Sequence, residues 1–506
     1  MQDKGSPFIF LMKKFILISA LFLLSLGLHS QGVDDAILNS QTYYEGTARS
    51  MAMGNATGAI GGDFTALCIN PAGLGLYRSH EFTFSLGPQY HNCLSDYYGS
   101  SEYASRFRVT LPNMGLVFGG QVSNFNPLRY LMFAVGMTRT NDFNYHQTAT
   151  GLNPNSSMVD SYLQTVNGID QLFNPSSDPG TYFSENHPYD LNPAWETYLI
   201  DRYTDLLGNI YFDSPVPPGN VWQTDNVTSK GRTEEWTIAA AANYYDKLFI
   251  GASLGLTHMK RISTRTYQET PNDPNGSFYD WRLEQELGDT AWGVNFKTGL
   301  IYYPTSWLRV GAAWHTRTIY VIGEQWSTDY QTTLKGSHGQ RETHRYLSPV
   351  LYQNYEFHTP HTFIGSLAFI IGQKGMISAD VEYMDYGSSW FSFDGVDIRG
   401  VLKPTYNLRL GTEWRLRQYY LRGGLAYYGS PYGFGEKYGS LKKLGLGFGY
   451  AVSQETSWDF AYELTQSTTG FTPYQVYDDG QNIVEDAVRH QWRNKVVVTL
   501  KIKIKE

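Results

Sequence analysis

From Glu81 to the C-terminal residues, apolar and polar positions alternate with a period of two, in one run after another. Trp292, Val294, Phe296, Thr298, Leu300 and Tyr302 fall on one face of a run, against Gly293, Asn295, Lys297, Gly299 and Ile301. Leu308, Val310, Ala312 and Trp314 oppose Arg309, Gly311, Ala313, His315 and Arg317. Tyr406, Leu408, Leu410, Thr412 and Trp414 oppose Asn407, Arg409, Gly411, Glu413 and Arg415. Trp458, Phe460, Tyr462 and Leu464, and later Val496, Val498, Leu500 and Ile502, repeat the pattern. Successive side chains of a strand point to opposite faces, so each run predicts a strand with one apolar face.

A soluble sandwich has such strands too. Here the apolar faces carry Trp, Tyr or Phe near their ends, as an aromatic girdle requires, and the opposite faces are small, charged or Gly. Tight turns at Asp246-Lys247, Pro304-Thr305-Ser306, Gln373-Lys374-Gly375, Arg417-Gln418 and Gln454-Glu455 alternate with long polar connections. Short turns at one end and long loops at the other mark an outer-membrane barrel. The expected strands are 81–91, 105–122, 129–141, 232–245, 247–266, 288–303, 307–322, 360–372, 376–391, 404–416, 419–430, 441–453, 457–467 and 490–505. The predicted fold is all-β, a transmembrane antiparallel β-barrel of about 14 strands, an even number that closes by pairing the first strand with the last. Loops are expected at 267–287, 323–359 and 468–489, and a long insertion at 142–231. Within it, Met158–Phe173 and Trp195–Leu207 have helical periodicity.

Ahead of the strands lies a different composition. Lys13 and Lys14 precede an apolar run, Phe15–Leu28, and Leu28-His29-Ser30 reads as a cleavage site, so 1–30 is an expected export signal with Met12 a better start than Met1. Residues 31–79 hold the Gly- and Ala-rich stretch 46–77, too rich in Gly for a regular helix or strand and suited to tight packing. Residues 80–506 are the expected barrel.

Aromatics at 15% and charged residues at 17% fit a turn-rich β protein, and a net charge of −8 argues against nucleic acid as a partner. Cys68 and Cys93 are too few for a disulfide framework or metal cluster, though export permits one bridge between them. No GxSxG, HExxH, phosphate-binding loop or zinc spacing is present, and His80 and His91 have no serine partner in the sequence, so no catalysis, cofactor or metal is expected. On the predicted lumen face, Lys297, Arg309, Arg317, Arg409, Arg415 and Arg422 are candidate partners for a ligand carboxylate. They are equally candidates for an ionic network with Asp380, Glu382, Glu413, Asp459 and Glu463, with His315 among them.

Ala48-Arg49-Ser50-Met51-Ala52-Met53-Gly54, Gly61-Gly62-Asp63 and Asn70-Pro71-Ala72-Gly73-Leu74, followed by the strand series, resemble the FadL/TodX family of outer-membrane transport proteins. The resemblance implies an N-terminal hatch that plugs the lumen, with Gly61, Gly62, Asn70, Pro71, Ala72, Gly73 and Leu74 in the plug or gate. It implies passive uptake of hydrophobic small molecules such as long-chain fatty acids, caught by extracellular loops and released sideways at a kinked strand. It also implies a place among outer-membrane lipid in a bacterial cell, and insertion by the barrel-assembly machinery. Some relatives serve instead in protein export, so a protein partner at the loops is the alternative. The long 142–231 insertion, and an end in Ile504-Lys505-Glu506 rather than an aromatic residue, depart from the family pattern.

Overall fold

The computed structural model describes residues 26–122, 127–273, 276–392, 398–433 and 439–504. Residues 1–25 of the expected leader lie outside them. The expected cleavage point, Ser30/Gln31, falls within a helix, Leu26–Ser40.

The barrel begins with β1 (His80–Tyr97) and β2 (Ser100–Gln121). β3 (Leu128–Asp142) continues after two residues as β4 (Tyr145–Asn153). A small hairpin, β5 (Asp201–Thr204) and β6 (Ile210–Asp213), precedes β7 (Val221–Tyr244), β8 (Leu248–Pro271) and β9 (Phe278–Tyr302). β10 (Leu308–His315) runs on as β11 (Ile319–Lys335), and β12 (Arg341–Leu347) folds back on it. β13 (Leu351–His358) runs on as β14 (Thr362–Ile371), then come β15 (Gly375–Asp385) and the short β16 (Trp390–Phe391). β17 (Pro404–Leu416), β18 (Tyr419–Tyr428), β19 (Leu441–Ala451) and β20 (Thr456–Phe471) follow as a meander. β21 (Tyr477–Asp478) and β22 (Gln481–Asn482) form a loop hairpin before β23 (Ala487–Ile504). With the interrupted strands counted once, the barrel has 14 antiparallel strands. β1 pairs with β23 from His80–Ile504 to Asp96–Val488, which removes both edges.

The two faces divide as the alternation requires. Trp292 is 61% exposed and its neighbours Val294, Phe296, Leu300 and Tyr302 are exposed with it, whereas Lys297 is 5% exposed. An exposed belt of this kind around the whole barrel is the surface lipid covers. Among the described residues no helix is long and apolar enough to cross a membrane. The five tight turns fall at one end, between β7 and β8, β9 and β10, β14 and β15, β17 and β18, and β19 and β20.

At the other end the strands outgrow the expectation. Residues 267–287 and 323–359, expected as loops, are largely strand: β8 and β9 stay paired up to Glu269–Trp281, and β11 carries β12 and β13 on its extension. Above the lipid both faces meet polar surroundings, so alternation fades while the hydrogen-bond ladder continues. The insertion is shorter than expected, because β4 pairs with β7 from Tyr145–Ser229 to Asn153–Val221. Its helices are Met158–Asn167, Pro179–Asn186 and Leu191–Glu196, with a 3-10 turn at Asp170–Phe173. The helix expected over Trp195–Leu207 gives way to β5 and β6, because β-branched and aromatic residues flank a turn at Asp205–Gly208. These loops build a cap with a core of its own, in which Val159, Phe183, Leu191 and Phe212 pack on Trp281, Tyr330 and Tyr474.

Candidate functional site

The stretch 46–77 lies inside the barrel at its short-turn end and is almost wholly buried. Thr47 caps the helix Ala48–Ala52, Asp63 caps Phe64–Ile69, and Asn70 caps the 3-10 helix Pro71–Leu76, in which Pro71 supplies the preset first position. The Asn70 Oδ1 accepts from Ala72 N–H at 3.1 Å, while its Nδ2 donates to the Gly58 carbonyl at 2.8 Å and to Leu300 of the wall at 3.1 Å. Asn70 therefore joins two hatch turns to β9. Gly61 and Gly62 sit at φ +61° and +62°, and a Cβ on Gly61 would fall 2.6 Å from Gly73 Cα. The Gly62 N–H donates to the Gly73 carbonyl at 3.1 Å. Both glycines are needed for that approach. Ala72 packs on Phe249 and Ile301, and Leu74 on Phe64, Val117 and Met132.

The wall makes room for this plug. A Cβ on Gly411 would lie 2.6 Å from the Met53 carbonyl oxygen, on Gly445 2.5 Å from that of Met51, and on Gly311 2.7 Å from that of Gly58. The small lumen-face residues of the alternating strands are thus the seat of the hatch.

Ion pairs fix it there. Arg49 meets Glu413 at 2.8 Å, Glu413 and Asp459 both hold Arg422, and Lys501 links Asp459 at 3.3 Å with Asp63 at 2.8 Å. Arg49 and Asp63 are the only charged residues between 46 and 77, a signal in the sequence that marks them as anchors. Glu45 pairs with Lys495. These buried pairs cost desolvation and are strongly destabilising to break singly.

The candidate cations have separate placements. Arg422 is consumed in this network, and Arg409 is buried between Glu382 at 3.0 Å and Asp380 at 3.9 Å. Lys297 pairs with Glu235 at 2.5 Å, and Arg309 donates to the Ile60 carbonyl at 3.2 Å. The His315 Nε2 bonds the Ile69 carbonyl at 2.9 Å. Arg415 is not in the lumen: it is exposed at the turn end, bonded to the Arg417 carbonyl, because β17 passes the barrel rim there. Arg317 sits in the break between β10 and β11. Three residues, 316–318, face two of β9 there, so parity resets, and Thr316 and Thr318 line the lumen cavity while Arg317 does not. Cys68 and Cys93 are buried free thiols.

That cavity lies above the hatch, with a volume of about 50 Å³, and is lined by Asn39, Tyr44, Thr140, Glu235, Lys297 and His315 among others. It is polar, with no room for an acyl tail.

The wall itself is incomplete at one place. β2 pairs with β3 only from Gln121–Tyr130 to Asn113–Thr138, and among the described residues 100–110 have ladder partners in β1 alone. β3 bends inward beyond Thr138 and carries β4 with it. Its freed edge is taken by the chain that leads into the hatch: Tyr43 N–H donates to the Thr140 carbonyl and Glu45 N–H to the Arg139 carbonyl, each at 2.8 Å. Across the gap, Arg108 reaches Asp142 at 3.4 Å. Tyr97, Ala149 and Ala487 form an apolar cluster beside it.

The chain thus combines a closed barrel of 14 strands, a buried N-terminal segment seated on wall glycines and a third strand that parts from the second. In structure the chain is similar to a Pseudomonas aeruginosa FadL homologue, with a TM-score of 0.54 and 10% identity over 90% of this chain and 98% of that one. It is likewise similar to the Pseudomonas putida toluene transporter TodX, with a TM-score of 0.50 and 14% identity over 92% and 98%. The fold is that of the FadL-type outer-membrane channels. At the sequence level no family profile and no curated protein matches the chain. The FadL-type fold, with its lipid-facing belt and girdles, places the protein in the bacterial outer membrane.

Proposed function

We propose that the protein is a channel for passive uptake of hydrophobic small molecules, long-chain fatty acids among them, and that the hatch governs passage. The observation that carries this reading is the parted β2–β3 ladder whose free edge is held by the hatch leader. The ion-paired plug blocks the straight path to the short-turn end. A sideways exit through the parted wall needs no polar passage and delivers an apolar compound into lipid. The likeness in fold to the toluene transporter TodX supports the same reading. Because Tyr43 and Glu45 bond β3 directly, movement of the hatch leader changes the width of the gap.

The test is uptake of an apolar fluorescent probe into liposomes containing the full-length protein. Arg108→Cys is expected to pass the probe until a bulky maleimide is attached, and then to stop. Unchanged uptake after complete labelling rejects a lateral route.

A second reading, attachment of a protein partner at the loops, is favoured by the tip of the β5–β6 hairpin, where Leu206 and Leu207 stand 106% and 88% exposed. Stoichiometric capture of a partner that Leu206→Asp abolishes, with no probe uptake, decides for it.

A further inference from the structure

One inward-facing row beside the gap carries more cations than acids: of its arginines Arg493 alone has a carboxylate, Glu45 at 3.8 Å, and it also donates to the Asp142 carbonyl at 3.4 Å. The register sets His91 of β1 opposite Arg106 of β2 on one side and opposite Arg493 of β23 on the other. Cross-strand neighbours on one face lie about 5 Å apart, so the two arginines flank one imidazole. Arg489 stands four residues higher on the same face of β23, over the Phe471 ring at 3.1 Å.

The nearby carboxylates are engaged elsewhere. Asp142 takes Arg108 and the side chains of Gln89 and Asn144. Glu45 takes Lys495 and lies 3.8 Å from both Arg139 and Arg493. Asp225 takes Arg265 at 2.8 Å. Among the described residues Arg106 and Arg489 make no ion pair. Arg106 donates only to the Tyr145 and Ser229 carbonyls, at 3.5 and 3.0 Å. The Nε atoms of Arg489 and Arg493 and the Nδ1 of His91, which is 3% exposed, are shut off from solvent without a hydrogen-bond partner. Buried donors and charges left in this state are costly unless an acceptor joins them.

The height of the row says what kind of acceptor. The next row toward the membrane holds Tyr90 and Phe107, paired to each other on the outside, with Tyr462 bonded to Asn494 nearby. Exposed aromatics at this level mark the outer membrane–water interface, where amphiphiles carry their head groups. The arginines therefore lie just inside the wall, at head-group height, behind the stretch of β2 that has no partner on its far side.

We propose that Arg106, Arg489 and Arg493, with His91, form a binding site for the anionic head group, carboxylate or phosphate, of a single-chain amphiphile whose tail lies in the gap beside β2. Guanidinium forks match the planar or tetrahedral oxygens of such a group and need no deprotonated partner of their own. The site is separate from the lumen cations of the hatch network. It rests on the lateral-gap reading for the route by which the tail arrives, while the head-group contacts stand on the row itself.

The test uses full-length protein in neutral detergent, with dodecanoate, dodecyl phosphate and dodecanol as probes in calorimetry. Dodecanoate and dodecyl phosphate are expected to bind roughly tenfold to a hundredfold more tightly than dodecanol. The preference is expected to vanish in the Arg106→Gln/Arg493→Gln double variant and to survive in the Lys double variant. Should the Gln double variant not fold, Arg489→Gln and the salt dependence of wild-type binding serve instead, with loss of the preference at high salt expected. Equal affinity for acid and alcohol in the wild type, or an unaltered preference in the Gln variants, overturns the proposal. Mass spectrometry of lipid retained on the purified protein separates the sources. A phosphate-bearing membrane lipid lost in the Gln variants points to the outer leaflet, and its absence alongside dodecanoate binding points to an incoming ligand. Failure of neutral-probe uptake in the wild type removes the channel reading and leaves the binding result intact.

Discussion

Asn70 shows how one side chain binds the plug to the wall. It satisfies an N–H at the start of a 3-10 helix and two carbonyls from different elements. Asn70→Ala is expected to cost about 2–4 kcal/mol, from two or three buried hydrogen bonds at about 1 kcal/mol or more each. Hydrogen exchange should show faster opening over residues 58–76 while the strand amides keep their protection. In the cap, Asp160 closes a capping box with Ser157, and burial raises its carboxyl to about 6. Folding there favours the protonated form, since the unfolded carboxyl titrates near 4. The cap therefore gains stability as pH falls from about 7 toward 4 and loses it as pH rises through that window. Asp160→Asn keeps an acceptor and is expected to flatten that dependence, as read by protease cleavage of the cap between pH 4 and 7.

At the scale of elements, the key event is the exchange of partners on β3. Up to Thr138 its edge belongs to β2, and beyond it to the hatch leader. Glu45→Pro removes the N–H that donates to Arg139, and it leaves Lys495 without its carboxylate. The expected result is faster exchange in residues 139–142, altered probe uptake, and a loss of stability from the uncompensated Lys495. Much of the barrel was legible from the chain alone, because lipid on one side and a packed lumen on the other enforce a strict period of two from Trp292 to Tyr302 and from Tyr406 to Glu413. The parting of β2 from β3 was not legible, because the strand residues alternate on both sides of it and the break lies in hydrogen bonding. Arg317 was misplaced by one extra residue in a bulge, which shifts every later side chain to the other face. Arg415 kept its parity but lay beyond the rim, a matter of height that alternation does not report. Arg49 and Asp63 stood out as lone charges in an uncharged stretch, yet their partners, hundreds of residues away, came only with the barrel's closure. The arginine row was hidden for the same reason, since Arg106 and Arg493 come to flank His91 only where the last strand returns to the first.

For the whole molecule, the barrel is a wall and the hatch is the filling. The ladder of 14 strands does not depend on the plug for its hydrogen bonds, apart from the edge of β3. Deleting residues 46–76 is therefore expected to leave an inserted barrel that conducts ions in planar bilayers, whereas the intact chain conducts little. A deletion variant as tight as the wild type would show that the cap or the Leu26–Ser40 helix, and not the hatch, closes the lumen.

The closure of β1 on β23 also sets the order of assembly. Lys495, Thr499 and Lys501 of the last strand hold Glu45, Ala48 and Asp63, which precede the first strand in the chain. Contacts of such wide sequence separation are slow to form. The plug lacks a complete seat until the last strand has formed, more than four hundred residues further along the chain. A chain truncated before β23 would carry a plug with uncompensated charges and a sheet with two open edges.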